Sequence, residues 1–196
     1  MSGAQSDMVL VERSRAGDRQ AFNDLIYRHE KRAYQYAFRL TSNPEEASDI
    51  VADAFVRVYN ALGNFKGNSA FTTWLYRIIT NCYLDARKKD KSKYNVSLDS
   101  TVATGEGEVE RQIEDDGPGP AEEAERNARE SAMQRALNKI PEYQKSMLIM
   151  YHVENLTYEE IADSLDLPIG TVKSRLNRAR LSLRELLAKE SELFSL

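Results

Sequence analysis

The 196-residue sequence predicts an all-α protein built of two small helical domains joined by an acidic, flexible linker. Three observations predict it. Apolar residues recur at helical spacing before residue 90 and again after residue 130. No stretch alternates apolar and polar residues long enough to make a sheet. Residues 95–130 are rich in Gly, Ser, Asp and Glu, carry GPGP at 117–120, and lack the apolar content for a core.

Phe22, Leu25, Ile26, His29, Ala33, Tyr36, Ala37 and Leu40 outline the first helix, which Ser42-Asn43-Pro44 ends. Ala47, Ile50, Val51, Ala54, Phe55, Val58, Tyr59 and Leu62 then form a regular amphipathic repeat. Its exposed side carries Glu45, Glu46, Asp49 and Asp53. Acids in a first turn favour the helix dipole, which accounts for Glu45 and Glu46 but not for Asp49 and Asp53 one turn apart.

The loop Gly63 to Ser69 precedes a third helix, expected over 70–89, with Phe71, Trp74, Leu75, Ile78, Ile79 and Cys82 along it and RKKDKSK at its end. Phe65, Lys66 and Asn68 in that loop, with Phe71, Trp74, Arg77, Asn81 and Lys88, set aromatics beside cations. Single-stranded nucleic acid uses such a surface, because bases stack on rings while cations follow the backbone. Phe71, Trp74 and Ile78 at helical spacing read rather as core, which leaves Phe65, Lys66 and Asn68 in the loop as the better candidates for contact.

Helices resume near 121–140 and 142–153, separated by Pro141, and lead into TYEEIADSLDLPIGTVKSRLNRAR at 157–180. Thr157 and Glu160 form a capping box. Tyr158, Ile161, Ala162 and Leu165 make one apolar stripe, and Asp166-Leu167-Pro168 breaks the helix while proline suits the start of the next. At about 100° per residue, Val172, Leu176, Ala179 and Leu183 share the packed side. Ser174, Asn177 and Arg178 lie opposite, Thr171 and Lys173 flank them, and Arg175 sits on a shoulder suited to a phosphate contact or to an internal salt bridge with Glu159 or Glu160. This is the pattern of a helix-turn-helix reader of duplex DNA, set against an ordinary hairpin with a solvated basic face.

Charge is divided unevenly. Residues 1–94 hold 15 Lys and Arg against 11 Asp and Glu, residues 95–130 hold 3 against 11, and residues 131–196 hold 9 against 9. The net charge of -4 therefore comes from the middle and does not oppose nucleic-acid binding by the ends. No apolar run of about 18 residues and no signal-peptide pattern is present, so a cytoplasmic protein without membrane insertion is expected. One cysteine, Cys82, and two isolated histidines, His29 and His152, offer no metal cluster, and structural roles are expected for all three. With no phosphate-cradling glycine loop or nucleophile-base spacing, no cofactor and no catalytic site are expected.

The order AFNDLIYRHE, EEASDIVADAFVRVYNAL, FKGNSAFTTWLYRIITN, acidic linker and NLTYEEIADSLDLPIGTVKSRLNRAR resembles the extracytoplasmic-function group of bacterial RNA polymerase sigma factors, of the sigma-E and sigma-W kind, over nearly the whole chain. The resemblance implies a sigma region 2 helical bundle at 1–94 that docks on core RNA polymerase and opens the minus-ten element. It implies a sigma region 4 helix-turn-helix at 131–196 that reads the minus-thirty-five element as duplex, with the acidic linker at 95–130 in polymerase channels. Asp49 and Asp53 match clamp-facing acids, while Ala52 stands where glutamine is common. Phe65 and Asn81 match positions holding a flipped non-template base, with 66–71 as the surrounding specificity loop. Trp74 matches an aromatic wedge, whose usual second aromatic is here Leu75. Lys173, Ser174, Asn177 and Arg178 match minus-thirty-five contacts, and an anti-sigma partner is implied. A stand-alone helix-turn-helix regulator is the alternative; it does not need the acidic helix and loop of the first half.

Overall fold

The computed structural model describes residues 6–96 and 120–189. Its helices run α1 (Asp7–Arg15), α2 (Arg19–Thr41), α3 (Pro44–Ala61), a 3-10 turn (Leu62–Asn64), α4 (Phe71–Val96), α5 (Pro120–Asn138), α6 (Glu142–His152), α7 (Tyr158–Leu165) and α8 (Ile169–Ala188). Every regular element among the described residues is a helix. None of them is long and apolar enough to cross a membrane.

Local chemistry fixes the boundaries. Asp18 caps α2 by accepting from the Ala21 amide at 3.1 Å, and that bond with the Arg13 guanidinium holds its carboxyl below the usual range. The α2 terminus is Ser42 at φ 61°, and Asn43 then caps α3 ahead of Pro44 in its first turn. In α7 both halves of the capping box form, Glu160 N to Thr157 Oγ1 at 3.1 Å and Thr157 N to the Glu160 carboxylate at 2.9 Å. Asp166 at φ 52° ends α7, and α8 starts after Pro168.

The first half buries Leu25, Tyr36 and Leu40 of α2, Ala54 and Val58 of α3, and Leu75 and Ile79 of α4. The Tyr36 hydroxyl is satisfied inside this core by Thr80 at 2.7 Å. Cys82 is buried, and burial pushes its thiol up to about 12, so it packs as a small apolar side chain. In the second half Met147, Ile149 and Met150 of α6 pack with Ile161 of α7 and with Val172, Leu176 and Ala179 of α8. The α5 helix occupies residues 120–138, across positions read from the sequence as the end of the linker and the start of the second domain; residues 97–119 of that linker lie outside the described residues.

The halves touch. Arg39 of α2 pairs with Glu154 after α6 at 3.1 Å, Ser42 donates to Asn138 of α5 at 3.0 Å, and Thr73 of α4 donates to Glu160 of α7 at 3.2 Å.

Candidate nucleic-acid interface

The recognition surface of α8 follows from which of its sides is packed. Val172, Leu176 and Ala179 are fully buried and Leu183 is partly buried against them, so the opposite face projects. Lys173, Ser174, Asn177 and Arg178 are exposed, and Thr171 is half-exposed at the flank. The Ser174 hydroxyl donates to Thr171 O at 3.0 Å. Lys173 extends over the Tyr158 ring at 5.7 Å, which steers its ammonium along the α7 side of the exposed α8 face.

Arg175 takes neither acid expected as its partner. Its guanidinium lies 5.5 Å over the Tyr143 ring, while the Tyr143 hydroxyl donates to Leu165 O at 3.0 Å. The shoulder position brings Arg175 to α6, and Glu160 is already engaged by its own cap and by Thr73.

The loop at 63–70, which begins within the 3-10 turn, leads into α4. Lys66 and Asn68 are exposed, as are Arg77, Asn81 and Lys88 along α4. Lys66, Arg77 and Lys88 form no ion pair among the described residues. Phe65, read as a stacking residue, has its ring buried at 3 % exposure. It packs on Trp74 at 4.9 Å and edge-on to Phe71 at 5.9 Å, and Phe71 is likewise buried. The aromatic trio is thus a small core under the loop, with half-buried Trp74 on its rim. Leu75, at the position of a second wedge aromatic, is wholly inside.

Facing the loop is α7. A cleft of about 730 Å³ is lined on one side by Lys66, Asn68, Trp74 and Arg77 and on the other by Glu159, Glu160 and Asp163. Acidic side chains therefore stand opposite Lys66 of the loop and Arg77 of α4.

On α3, Asp49 and Asp53 are both exposed. Asp53 is held by Arg57 at 2.9 Å, and Arg57 also binds Asp85 of α4 at 2.9 Å. Asp49 forms no ion pair among the described residues, and Ala52 between them is exposed. Of the basic cluster in the last turns of α4, Arg87 is taken up by Glu46 at 2.8 Å and by the Tyr83 ring, while Lys88 and Lys89 are exposed. His152 accepts from Arg180 Nε at 3.0 Å, and His29 is a buried partner of Asp7, so both histidines are engaged structurally. Among the described residues no group of His, Cys, Asp and Glu is placed to hold a metal ion.

Sequence reasoning missed α1 altogether. Only Leu10 and Val11 of its nine residues are buried, too few to write a periodic stripe, although Ser6 as an N-cap and Gly17-Asp18 after it mark a short helix.

Comparison with known proteins places both halves of the chain in one family. Residues 25–93 match the model for Sigma-70 region 2, and residues 130–183 match that for Sigma-70, region 4. The chain is 34% identical over 178 residues to the ECF RNA polymerase sigma factor SigW of Bacillus subtilis, covering 90% of this chain and 94% of that protein. It is 34% identical over 179 residues to the RNA polymerase sigma-H factor of Pseudomonas aeruginosa, covering 90% and 91%. Among solved structures, the sigma factor RpoE of Bartonella quintana, determined with the anti-sigma factor NepR, has the same fold, with a TM-score of 0.65 and 23% identity over 85% of this chain and 96% of that one. The chain belongs to the extracytoplasmic-function group of bacterial RNA polymerase sigma factors.

Proposed function

We infer that the protein is a cytoplasmic initiation factor that binds core RNA polymerase through α3, captures the minus-ten non-template strand at the 63–70 loop and α4, and reads the minus-thirty-five duplex with α8. The observation that carries this reading is the pairing, in one chain, of a polar, exposed α8 face with a loop that exposes Lys66 above an aromatic core and leads into a helix exposing Arg77 and Lys88. A stand-alone regulator needs only the first of these. Asn177 and Arg178 have donors suited to base edges, and Lys173 to a phosphate. Asp49 and Asp53 offer the polymerase an acidic pair one turn apart. Lys66, Arg77 and Lys88 follow the strand backbone, with Asn68 and Asn81 as hydrogen-bonding groups beside it and Trp74 at the rim.

The protein contributes no chemistry of its own; it places and opens DNA for the polymerase. Each stacked step lost costs about 1.4 kcal/mol on average. One captured base returns roughly 1–3 kcal/mol, so several opened pairs exceed what the loop can supply. Polymerase contacts provide the remainder. An anti-sigma partner fits the same scheme, since the Bartonella sigma factor of this fold was solved with one.

The test is run-off transcription with core polymerase on a randomised promoter library, with permanganate reactivity of promoter thymines alongside. Initiation dependent on this protein, with thymine reactivity only when core is present, is the expected result. Opening of duplex by the protein alone, or no stimulation of core, overturns it.

A further inference from the structure

The minus-ten loop is exposed and irregular, so its shape has to come from what it rests on. Below it lies α1, which precedes the residues matched to Sigma-70 region 2. Three contacts join them. Arg15, the last residue of α1, donates Nε to Leu62 O at 3.0 Å and Nη2 to Phe65 O. Those carbonyls bracket the 3-10 turn from which the loop departs. A guanidinium presents its donors in one rigid plane, so holding two carbonyls three residues apart orients the peptide that leads from Phe65 into Lys66.

Met8, in the first turn of α1, touches the middle of the loop. A Cβ on Gly67 would come within 3.0 Å of Met8 Cε, and Gly67 is at φ +72°, a conformation that favours glycine. Beside it, Asp7 accepts from Arg28 at 2.7 Å and from His29 Nε2 at 2.9 Å, and the His29 ring lies 5.0 Å from Phe71 at the start of α4. Burial lowers the His29 pKa, which keeps the ring neutral with its Nε2 proton directed at Asp7. The start and the centre of the loop therefore bear on one nine-residue helix, and its far end is linked to that helix through His29 of α2.

We propose that α1 is a brace that sets minus-ten base selectivity, with Arg15 and Met8 as positioning residues that shape the 63–70 loop without touching DNA. This rests on the sigma-factor reading above. Lysine at position 15 carries the charge but not the fork, and reaches one carbonyl at a time. Arg15→Lys should therefore fall between the wild type and Arg15→Gln.

The experiment measures initiation by full-length protein and core polymerase on two promoter libraries, one randomised at minus-ten and one at minus-thirty-five, for wild type, Arg15→Gln, Arg15→Lys and Met8→Ala. Core affinity is measured for each by competition. The expected result is a loss of minus-ten discrimination of about 10-fold in Arg15→Gln, within the range one base contact commands, with Arg15→Lys intermediate and Met8→Ala also relaxed. Minus-thirty-five preference and core affinity stay at wild-type values. An unchanged minus-ten profile overturns the brace, and so does an equal decline of both profiles with core affinity, the signature of a merely destabilised first half. Met8→Ala covers the case in which an Arg15 variant does not fold, since it breaks the loop contact and leaves both carbonyl bonds. Wild-type protein that drives no run-off product removes the sigma-factor reading itself, whereas wild-type activity with unaltered variant selectivity removes only the brace.

Discussion

The Thr73 hydroxyl of α4 donates to Glu160 Oε1 of α7 at 3.2 Å, while Oε2 of the same carboxylate accepts from the Thr157 amide at 2.9 Å. One side chain thus caps the first helix of the helix-turn-helix and ties it to the helix that follows the 63–70 loop. The two roles separate by mutation. Thr157→Ala removes a cap and should destabilise the second half by about 0.5–2 kcal/mol. Thr73→Val leaves the cap intact and loosens only the tie. With Arg39→Ala, which frees Glu154, it should widen the cleft that sets Glu159, Glu160 and Asp163 against Lys66 and Arg77. Tighter binding of a labelled single-stranded minus-ten oligonucleotide by the isolated double variant, read by fluorescence anisotropy, is the expected outcome; unchanged binding would show that α7 does not obstruct the loop.

The α8 surface makes a paired prediction. Arg178 and Lys173 are both exposed, but the Lys173 ammonium is drawn over the Tyr158 ring toward the flank. Arg178→Ala should weaken binding to the preferred minus-thirty-five duplex by about 1–3 kcal/mol and relax preference at one base position. Lys173→Ala should weaken all duplexes alike and reduce the salt dependence by about one counterion. Filter binding of holoenzyme across a salt series distinguishes them, and identical behaviour of the two variants defeats the assignment.

This face was legible because a helix wheel needs only local spacing: Val172, Leu176 and Ala179 are buried where periodicity puts them, and the polar residues follow by geometry. The capping box and Pro168 are equally local. What the sequence did not disclose is which element lies across from each residue. Arg175 on its shoulder faces Tyr143 of α6, and nothing in TVKSRLNRAR specifies an aromatic from a helix some thirty residues earlier. Phe65 looks like a free ring in a glycine-containing loop, yet Trp74 and Phe71 close over it because α4 begins directly beneath. The α1 brace depends on contacts of Arg15 with carbonyls some fifty residues ahead, and backbone carbonyls carry no sequence signature.

Cys82 provides a probe of the first half. At 3 % exposure, with its thiol raised to about 12 by burial, it has almost no thiolate at neutral pH and no path to a reagent. Its modification by an aromatic disulfide reagent should track unfolding of the α2–α4 bundle across a urea series. Prompt labelling of native protein would contradict the packing.

Stability should depend on pH through Lys145. Its side chain is only 3 % exposed, donates to Asn138 at 2.7 Å, and lies near Arg87 and Glu46 where α6 meets the first half. Burial, reinforced by the Arg87 charge, lowers its pKa to about 8 from the usual 10.5. Below pH 8 the ammonium is present in both folded and unfolded chains, and the cost of burying it is felt in full. Between that value and its ordinary pKa the unfolded chain binds the proton more than the folded one, so stability rises with pH. The rise ends near pH 10, because burial raises the pKa values of Tyr36, Tyr76 and Tyr83. Those phenols ionise first in the unfolded chain, which turns the slope negative. Urea denaturation from pH 7.5 to 10.5 should therefore show a gain on the order of 2 kcal/mol or less, since each pKa unit is worth about 1.4 kcal/mol. Lys145→Met removes the titrating group and keeps the volume, so its profile should be flat until the tyrosines act and higher than wild type at neutral pH. A wild-type profile equally flat from pH 8 to 10 would mean that the Lys145 ammonium reaches water and that α6 is less firmly seated on the first half than its burial implies.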